Sequence, residues 1–360
     1  MKNPFATTPG IIVTGALIGL IAVWLQKLGN PANMGICVAC FERDVAGGLG
    51  LHRAAIVQYL RPEIMGLVLG SLVAAIATRE FRPRGGSAPI VRFVLGMIAA
   101  MGALVFLGCP WRAVLRLAGG DGNALLGIAG LATGIWIGTL FFRRGYSLGR
   151  SNPQSVVSGA VFPALVVGLL LLYLVFPQIP GQPQSGPLFY SVKGPGSQHA
   201  PFIASLGLAF VIGVIAQRSR FCTMGAFRDL FLFRYTHLFL GLAAMFAAAF
   251  IANALTGGLK FGFEGQPVAH SDFLWNYLGM VTAGLAFALA GGCPGRQLFM
   301  AGEGDGDAGI FALGMLAGAA MAHNLGTASS VTGIGVYGMQ ATIIGFVLCL
   351  VIGFVHSRKA

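Results

Sequence analysis

Cysteines that recur in matched copies are the residues of this chain whose types and spacing could do chemistry. Residues 37 to 52 and residues 222 to 237 carry the same four residue types at the same internal spacing. The matched residues are Cys37, Arg43, Asp44 and His52 in the first copy and Cys222, Arg228, Asp229 and His237 in the second. A neutral thiol is a weak, polarizable donor, so a series of thiols could hold a large sulfur- or selenium-containing anion loosely and pass it on.

A second block of residues is repeated in the same way further along the chain. Its members are Cys109, Pro110, Arg112, Asp121 and Gly122, which recur as Cys293, Pro294, Arg296, Asp305 and Gly306. Proline after cysteine favours a helix that begins just after the thiol. The free N–H groups of a helix start favour an anion there, and the two arginines could balance charge or bind the substrate. One Cys-Pro alone could be a packing residue; the matched copy favours function.

The polar partners in the first block are interpreted as supports for re-entrant turns that carry Cys37 and Cys222. Ionisable groups at membrane depth are usually paired, so we expect charge-neutralising clamps at the Arg-Asp dipeptides, Arg43-Asp44 and Arg228-Asp229. The histidines are expected to brace the same turns, with proton coupling as the alternative role, at His52 and His237.

Two further cysteines lack a matched copy. Cys40 aligns with Gly225 and is predicted to be at most an additional thiol of the path. Cys349 lies in the last apolar run and is expected to be a packing residue. Since Cys37 and Cys40 form an isolated pair with no second pair or histidine at zinc spacing, no metal is expected.

The composition predicts an all-α integral membrane protein. Hydrophobic residues make up 56% of the chain, charged residues 9%, and the mean hydropathy is +0.79. The net charge of +12 is attributed to basic loops that set orientation, because no nucleic-acid recognition module accompanies it. Apolar runs predict ten transmembrane helices, near residues 10–27, 62–78, 90–107, 124–142, 155–176, 202–217, 236–255, 273–291, 308–326 and 336–356. Segments 35–50 and 221–234 are predicted to be re-entrant.

Loop charges and span parity predict how the two copies are arranged. Arginine clusters at residues 79–92, 143–150 and 218–220, with Arg358 and Lys359, are expected in the cytoplasm, and the Pro- and Gly-rich loop 177–201 outside. Both termini are then cytoplasmic. The predicted units are a first repeat (1–144), a linker with an extra span and an extracytoplasmic loop (145–201), a second repeat (202–334), and a final helix with a tail (335–360). Five crossings separate the copies, so the second is inverted and the shared site lies near the membrane midplane.

Over nearly its whole length the sequence resembles the YeeE/YedE sulfur-transport family. The stretches that carry the resemblance are Arg-Phe-Cys-Thr-Met-Gly-Ala-Phe-Arg-Asp at 220–229, Gly-Gly-Cys at 291–293 and Gly-Cys at 108–109. The stretch Gly-Asn-Pro-Ala-Asn-Met-Gly-Ile-Cys-Val-Ala-Cys-Phe-Glu-Arg-Asp at 29–44 is similar to the subfamily associated with selenium metabolism. The resemblance implies an hourglass of inverted repeats in an inner membrane, with central cysteines that relay thiosulfate inward. It assigns that role to Cys109 and Cys293, with Cys222 or Cys37 as the third. Pro110 and Cys40 depart from the family pattern and favour a selenium compound.

The sequence therefore predicts a transporter or channel-like uptake protein for a small selenium- or sulfur-containing anion. Its expected partners are that anion, the lipid bilayer and a soluble sulfur or selenium carrier protein; no cofactor or nucleic acid is expected, and no P-loop motif occurs. One alternative is a thiosulfate transporter proper. Another is a membrane thiol enzyme or chalcogen carrier that forms a persulfide or selenosulfide on Cys37 or Cys40. A third is a plain anion channel, which would tolerate serine at the repeated cysteines.

Overall fold

The computed structural model describes residues 3 to 357, so Arg358 and Lys359 of the predicted tail lie outside the described residues. The protein is an all-helical, multi-pass membrane protein. Its fourteen α-helices within that range are α1 (Thr8–Lys27), α2 (Val38–Gly48), α3 (Pro62–Ala77), α4 (Pro89–Phe106), α5 (Pro110–Ala118), α6 (Asn123–Arg143), α7 (Val156–Val175), α8 (Phe202–Ser219), α9 (Thr223–Phe233), α10 (His237–Leu255), α11 (Phe273–Ala290), α12 (Pro294–Gly302), α13 (Gly306–Asn324) and α14 (Gly338–Val355).

A helix occupies each of the ten predicted spans. In the described part of the chain, eight helical segments are long and apolar enough to cross a membrane. The predicted spans outside those eight are α3, which has 16 residues and falls short in length, and α13, which has 19. About 20 residues cross a bilayer, and shorter helices are accommodated when neighbouring protein surrounds them.

The order of long and short helices in the first part of the chain recurs in the second. Helices α1 to α6 run long, short, long, long, short, long, and helices α8 to α13 follow the same order. Helices α7 and α14 stand outside this series. Each short helix lies where a repeated cysteine block begins, so the repeated sequence and the repeated helix order coincide.

The long helices pack mainly across the two copies. Helix α1 packs along α10 and α3 along α8, while α4 packs along α13 and α6 along α11; α4 and α11 also pack together. Glycine permits the closest crossings, as small residues do between membrane helices. A β-carbon on Gly15 of α1 would overlap the carbonyl oxygen of Gly241 in α10, and one on Gly70 of α3 would overlap that of Phe210 in α8.

Short strands tie loops together at the helix ends. Strand β1 (Arg84–Gly85) pairs antiparallel with β2 (Asn152–Pro153), and β3 (Gln184–Ser185) with β4 (Leu188–Phe189). The backbone N–H of Arg84 also donates to the carbonyl of Gly304. The loops after α3, α6 and α12, all predicted to be cytoplasmic, are therefore joined at one end of the molecule.

Candidate functional site

All four repeated cysteines are N-cap residues of short helices. Cys37 precedes α2, Cys109 precedes α5, Cys222 precedes α9 and Cys293 precedes α12. The prolines Pro110 and Pro294 occupy the first helical position, as the Cys-Pro sequences predict. Each thiol therefore lies where the N–H groups of a helix start have no intrahelical acceptor.

The segments predicted to be re-entrant turns are short helices instead. The Cys37 sulfur accepts a hydrogen bond from the backbone N–H of Cys40 at 3.4 Å, and the Cys222 sulfur accepts one from that of Gly225 at 3.2 Å. The cysteine side chain thus acts as a capping acceptor, in the way serine or aspartate usually does. This cap allows a helix of 11 residues to begin directly after each cysteine.

The thiols come together in two groups, one from each copy of the repeat. The thiols of Cys37 and Cys109 adjoin each other, and Cys40 adjoins Cys37; these three residues are called the first thiol cluster. The thiols of Cys222 and Cys293 adjoin each other and are called the second thiol pair. All five residues are buried, and the most exposed of them, Cys222, is 7% exposed. Cys349 is buried in α14.

Arg112 lies against the first thiol cluster and uses all five of its N–H donors. Nη1 donates to the Cys40 sulfur at 3.7 Å and to a backbone carbonyl, and the other nitrogens donate to carbonyls only. The carbonyl acceptors belong to Asn33, Leu107, Pro267 and Val268. Within residues 3–357 no carboxylate forms an ion pair with Arg112. Its charge is buried and balanced only by dipoles.

Three of the residues whose carbonyls accept hydrogen bonds from Arg112 have an uncommon backbone conformation. Asn33, Leu107 and Val268 have φ of 56°, 63° and 49°, in the left-handed region. That conformation costs about 1–2 kcal/mol for a residue with a β-carbon, and it persists where the surroundings enforce it. Because the guanidinium donates to the carbonyl oxygen of each of these residues, Arg112 holds the loops around the cluster in place.

The counterpart Arg296 has a different environment. Its Nη1 donates to Glu303 at 3.2 Å, and its side chain is 12% exposed. Glu303 also accepts from Arg220 at 3.1 Å. The guanidinium of Arg296, in the helix that Cys293 caps, is therefore neutralised by a carboxylate.

The predicted Arg-Asp clamps both form ion pairs, but at different depths. Asp44 is fully buried and accepts from Arg43 and Arg61, each at 2.7 Å. Arg61 also donates to the carbonyls of Pro195 and Gln198 at 2.9 Å, which ties α3 to the loop before α8. In the second copy Arg228 pairs with Asp229 alone at 2.8 Å, and both side chains are partly exposed.

The two predicted bracing histidines make different contacts. His52 is buried, and its Nδ1 accepts from the backbone N–H of Ala54 at 3.2 Å. The proton therefore sits on Nε2, which donates to the carbonyl of Arg43 at 3.0 Å. Both ring nitrogens are occupied, an arrangement that suits bracing better than proton transfer. His237 begins α10 and lies 3.2 Å from the Thr8 hydroxyl.

The repeated aspartates organise the ends of the short helices. Asp121 accepts from Arg116 at 2.6 Å and from the backbone N–H of Asn123 at 2.9 Å, next to Gly122. Asp305 accepts from Arg84 at 2.7 Å and caps α13 through the N–H of Ala308, next to Gly306. Asp121 thus joins α5 to α6, whereas Asp305 joins the start of α13 to the loop after α3.

Sequence reasoning missed three residues of the site: Trp111, Arg61 and Arg116. Arg116 pairs with Asp121 one turn after Arg112, a spacing that was visible in the sequence. Arg61 carried no such signal, because its partner Asp44 lies 17 residues away. Trp111 stands between the proline and arginine of the repeated block, but its counterpart is Gly295, so matching the copies drew no attention to it.

Parts of the sequence are similar to known sulfur-transport proteins. A family model described as Sulphur transport matches residues 218–353. Over 97 residues the chain is 31% identical to the thiosulfate transporter TsuA of Spirochaeta thermophila, covering 27% of this chain and 29% of that protein. Over 94 residues it is 29% identical to the thiosulfate transporter TsuA of Escherichia coli, covering 26% of each. The chain thus spans less than a third of the curated relatives that it matches, and the match over residues 218–353 supports a place for it in the sulphur transport family.

Proposed function

We propose that this protein takes up a small sulfur- or selenium-containing anion, which passes from the first thiol cluster to the second thiol pair. The observation that carries the proposal is that thiols meet in two groups, each thiol at the N-terminus of a short helix. Helix N-termini favour anions, and thiols are weak donors that release a polarizable guest. Buried binding groups in a membrane are expensive and usually functional.

The packing of the long helices supports two copies related by a pseudo-twofold axis in the membrane plane. If α1 to α6 correspond to α8 to α13, exchanging the copies turns the pair α1 and α10 into the pair α8 and α3. The same exchange turns α4 and α13 into α11 and α6. Such inverted repeats place a shared site at their interface, here between residues 1–144 and 202–334. An inner-membrane location with cytoplasmic termini remains part of the proposal.

Charge supports the order of transfer. The first thiol cluster lies beside Arg112, whose charge has no carboxylate partner in the described residues. At the second pair, Arg228 is the charge near Cys222 and pairs with Asp229, and Arg296 of the helix capped by Cys293 pairs with Glu303. An anion is therefore attracted more strongly to the first group than to the second. If the first cluster faces outside, as the loop charges predict, the difference favours capture outside and release inside, to metabolism or to a soluble carrier protein.

The identity of the anion is the finer part of the proposal. The curated relatives are named thiosulfate transporters, which favours thiosulfate. The stretch from 29 to 44 and the additional thiol of Cys40 favour a selenium compound, since Cys40 adds a third soft sulfur to the first cluster. Both anions share the polarizable chalcogen that the thiols would hold.

A membrane thiol enzyme or chalcogen carrier is the second candidate, because Cys37 and Cys40 adjoin each other. Transfer from a persulfide on either residue to a soluble protein needs an exposed thiol. Both residues have 0% exposure. Mass spectrometry after substrate exposure tests this candidate directly: a covalent adduct on Cys37 or Cys40 that is required for activity would favour the enzyme over the transporter.

The decisive experiment measures uptake of labelled thiosulfate and of labelled selenite into vesicles. Cys109→Ala and Cys293→Ala should each abolish uptake of the transported anion, because each removes one cysteine side chain from the proposed path. Cys349→Ala is the matched control, a buried cysteine in α14 that should leave uptake unchanged. Full uptake in both path variants would rule out the relay. Full uptake with serine at all four repeated cysteines would indicate a plain anion channel.

A further inference from the structure

The indole side chain of Trp111 connects the first thiol cluster with the second thiol pair. Trp111 lies in the first turn of α5, two residues after Cys109. Its ring packs edge-on against Phe221, the residue before Cys222, with the ring centroids 5.8 Å apart. It also packs against Phe299 of α12, with centroids 6.0 Å apart. The ring therefore extends from the helix of the first cluster to the segments that carry the second pair.

The indole covers the start of α12. A β-carbon on Gly295, two residues after Cys293, would lie 2.9 Å from Cζ2 and 3.2 Å from Cε2 of Trp111. These atoms belong to the six-membered ring of the indole, so this part of the side chain faces the first turn of α12. Trp111 and Gly295 occupy matching positions in the repeat. The symmetric position thus holds the largest side chain in one copy and none in the other, and the glycine makes room for the ring.

The indole N–H has no hydrogen-bond acceptor within residues 3–357, although the side chain is 1% exposed. An unsatisfied buried donor costs about 1–3 kcal/mol, and a buried tryptophan N–H usually finds an acceptor. Tryptophan can only donate a hydrogen bond. The missing partner is therefore an acceptor, and an anion moving between the two thiol groups would supply one.

We propose that Trp111 is the gate between the first thiol cluster and the second thiol pair, and that its indole N–H donates to the anion as it passes. This inference rests on the proposed function for the identity of the anion but not for the position of the gate. In the closed state the ring fills the space above Gly295. Rotation of this one side chain opens the way between the thiol groups and exposes the N–H to the anion.

The gate is tested by the rate at which thiols are modified from each side of the membrane. An impermeant anionic methanethiosulfonate is added to right-side-out or inside-out vesicles, and peptide mass spectrometry follows each cysteine separately. In the parent, each preparation should modify one thiol group faster than the other. In Trp111→Ala, the far group should be modified at least about tenfold faster than in the parent. An unchanged rate in Trp111→Ala would overturn the gate.

Matched variants keep the test informative. Trp136→Ala removes an indole that is 50% exposed on α6 and should change no modification rate. Gly295→Ala keeps Trp111 but places a methyl group against its ring, so it should raise the far-side rate severalfold even if Trp111→Ala does not fold. An unchanged far-side rate in Gly295→Ala also counts against the gate.

The hydrogen-bonding role is tested separately with Trp111→Phe. Phenylalanine keeps an aromatic ring and loses the N–H, so the sidedness of modification should be preserved. The half-saturating concentration for labelled thiosulfate uptake should rise about tenfold, as for a lost hydrogen bond to a charged group. An unchanged half-saturation would exclude the N–H donor. Because thiol modification needs no substrate, a failed gate and a failed transport proposal give different results.

Discussion

The first thiol cluster and the second thiol pair are built from the same sequence pattern but differ in charge and depth. In the first, three thiols adjoin a guanidinium that is enclosed by carbonyls and one sulfur. In the second, two thiols adjoin each other, and Arg296 in the helix that Cys293 caps pairs with Glu303. The supporting clamp at Asp44 is fully buried, whereas that at Asp229 is partly exposed.

The repeated motif forms a helix start in both copies, but the charges around the two helix starts differ. The Cys-Pro sequence sets the cap through local backbone preferences, so both copies form it. The charge of each repeated arginine is balanced by residues of neighbouring segments, and those residues differ between the two copies. The proposed difference in anion affinity therefore depends on the charges around the repeated cysteines as well as on the additional thiol of Cys40.

The largest expected effect concerns the two Arg-Asp clamps. Asp44→Asn leaves Arg43 and Arg61 buried without a carboxylate and should destabilise the protein by about 3–5 kcal/mol. Asp229→Asn, the matched change at the partly exposed clamp, should cost about 1 kcal/mol or less. Thermal unfolding of both purified variants measures the difference. Equal losses would show that the clamps do not differ in depth as described.

The next largest effect is expected on the rate of uptake when Arg112 or Arg296 is replaced. Arg112→Met removes the unpaired charge and releases the loops at Asn33 and Val268, so the initial rate of anion uptake should fall at least about tenfold. Arg296→Met, at a charge already neutralised by Glu303, should reduce uptake about twofold.

Arg112→Lys separates charge from loop positioning, because lysine keeps the charge but cannot reproduce the planar fork. Its uptake rate should lie between those of the parent and Arg112→Met. Similar losses in Arg112→Met and Arg296→Met would contradict the proposed gradient of affinity.

A smaller effect is expected from making the first cluster resemble the second. Cys40→Gly installs the residue of the second copy, Gly225, and removes the third thiol together with its contact to Arg112 at 3.7 Å. Uptake of the labelled anion should fall about threefold, as for the loss of one weak hydrogen bond. If selenite uptake falls and thiosulfate uptake does not, Cys40 determines the preference for selenium.

The smallest effect concerns the ion pairs at the helix ends near the second pair. Partial burial raises the pKa of Glu80, but hydrogen bonds from Gln217 and Arg218 and the charge of Arg220 outweigh it and hold that pKa below its usual value. The pairs at 2.9 and 3.1 Å involve partly exposed side chains, so Glu80→Gln should cost less than about 1 kcal/mol.

The pH dependence of this small effect has a defined sign. A carboxyl whose folded pKa is lowered stabilises the protein above its unfolded pKa, and that contribution is lost as pH falls through the folded value. The difference in unfolding temperature between Glu80→Gln and the parent should therefore be present at pH 7 and disappear below about pH 4. A constant difference across this range would indicate that the pairs do not stabilise the fold.

Much of the fold could be read from the sequence because it depends on local rules. Ten apolar runs coincide with ten long helices, and proline after Cys109 and Cys293 marks two helix starts. The segments at Cys37 and Cys222 were predicted to be re-entrant from their interrupted apolar character, and their short helices were missed because these start at a cap formed by a cysteine sulfur. Local sequence thus predicted the membrane helices well and the short helices in part.

The site itself was less predictable, because its contacts join distant segments. Arg112 reaches carbonyls of residues 155 and 156 positions away, and Arg61 reaches the loop before α8. Nothing in the spacing of these residues distinguishes an arginine that is enclosed by carbonyls from one that pairs with a carboxylate. Trp111 was overlooked because searching for repeats selects matched residues, and its contact with Gly295 depends on their being different.

The sequence alone therefore determined the apolar helices, the duplication and the placement of Cys109 and Cys293 at helix starts, because hydropathy and proline geometry act over a few residues. Only the tertiary structure decided which thiols adjoin, which arginine lacks a carboxylate, and which side chain lies between the two groups. Those properties arise from packing between the copies, which brings together residues that are far apart in the sequence.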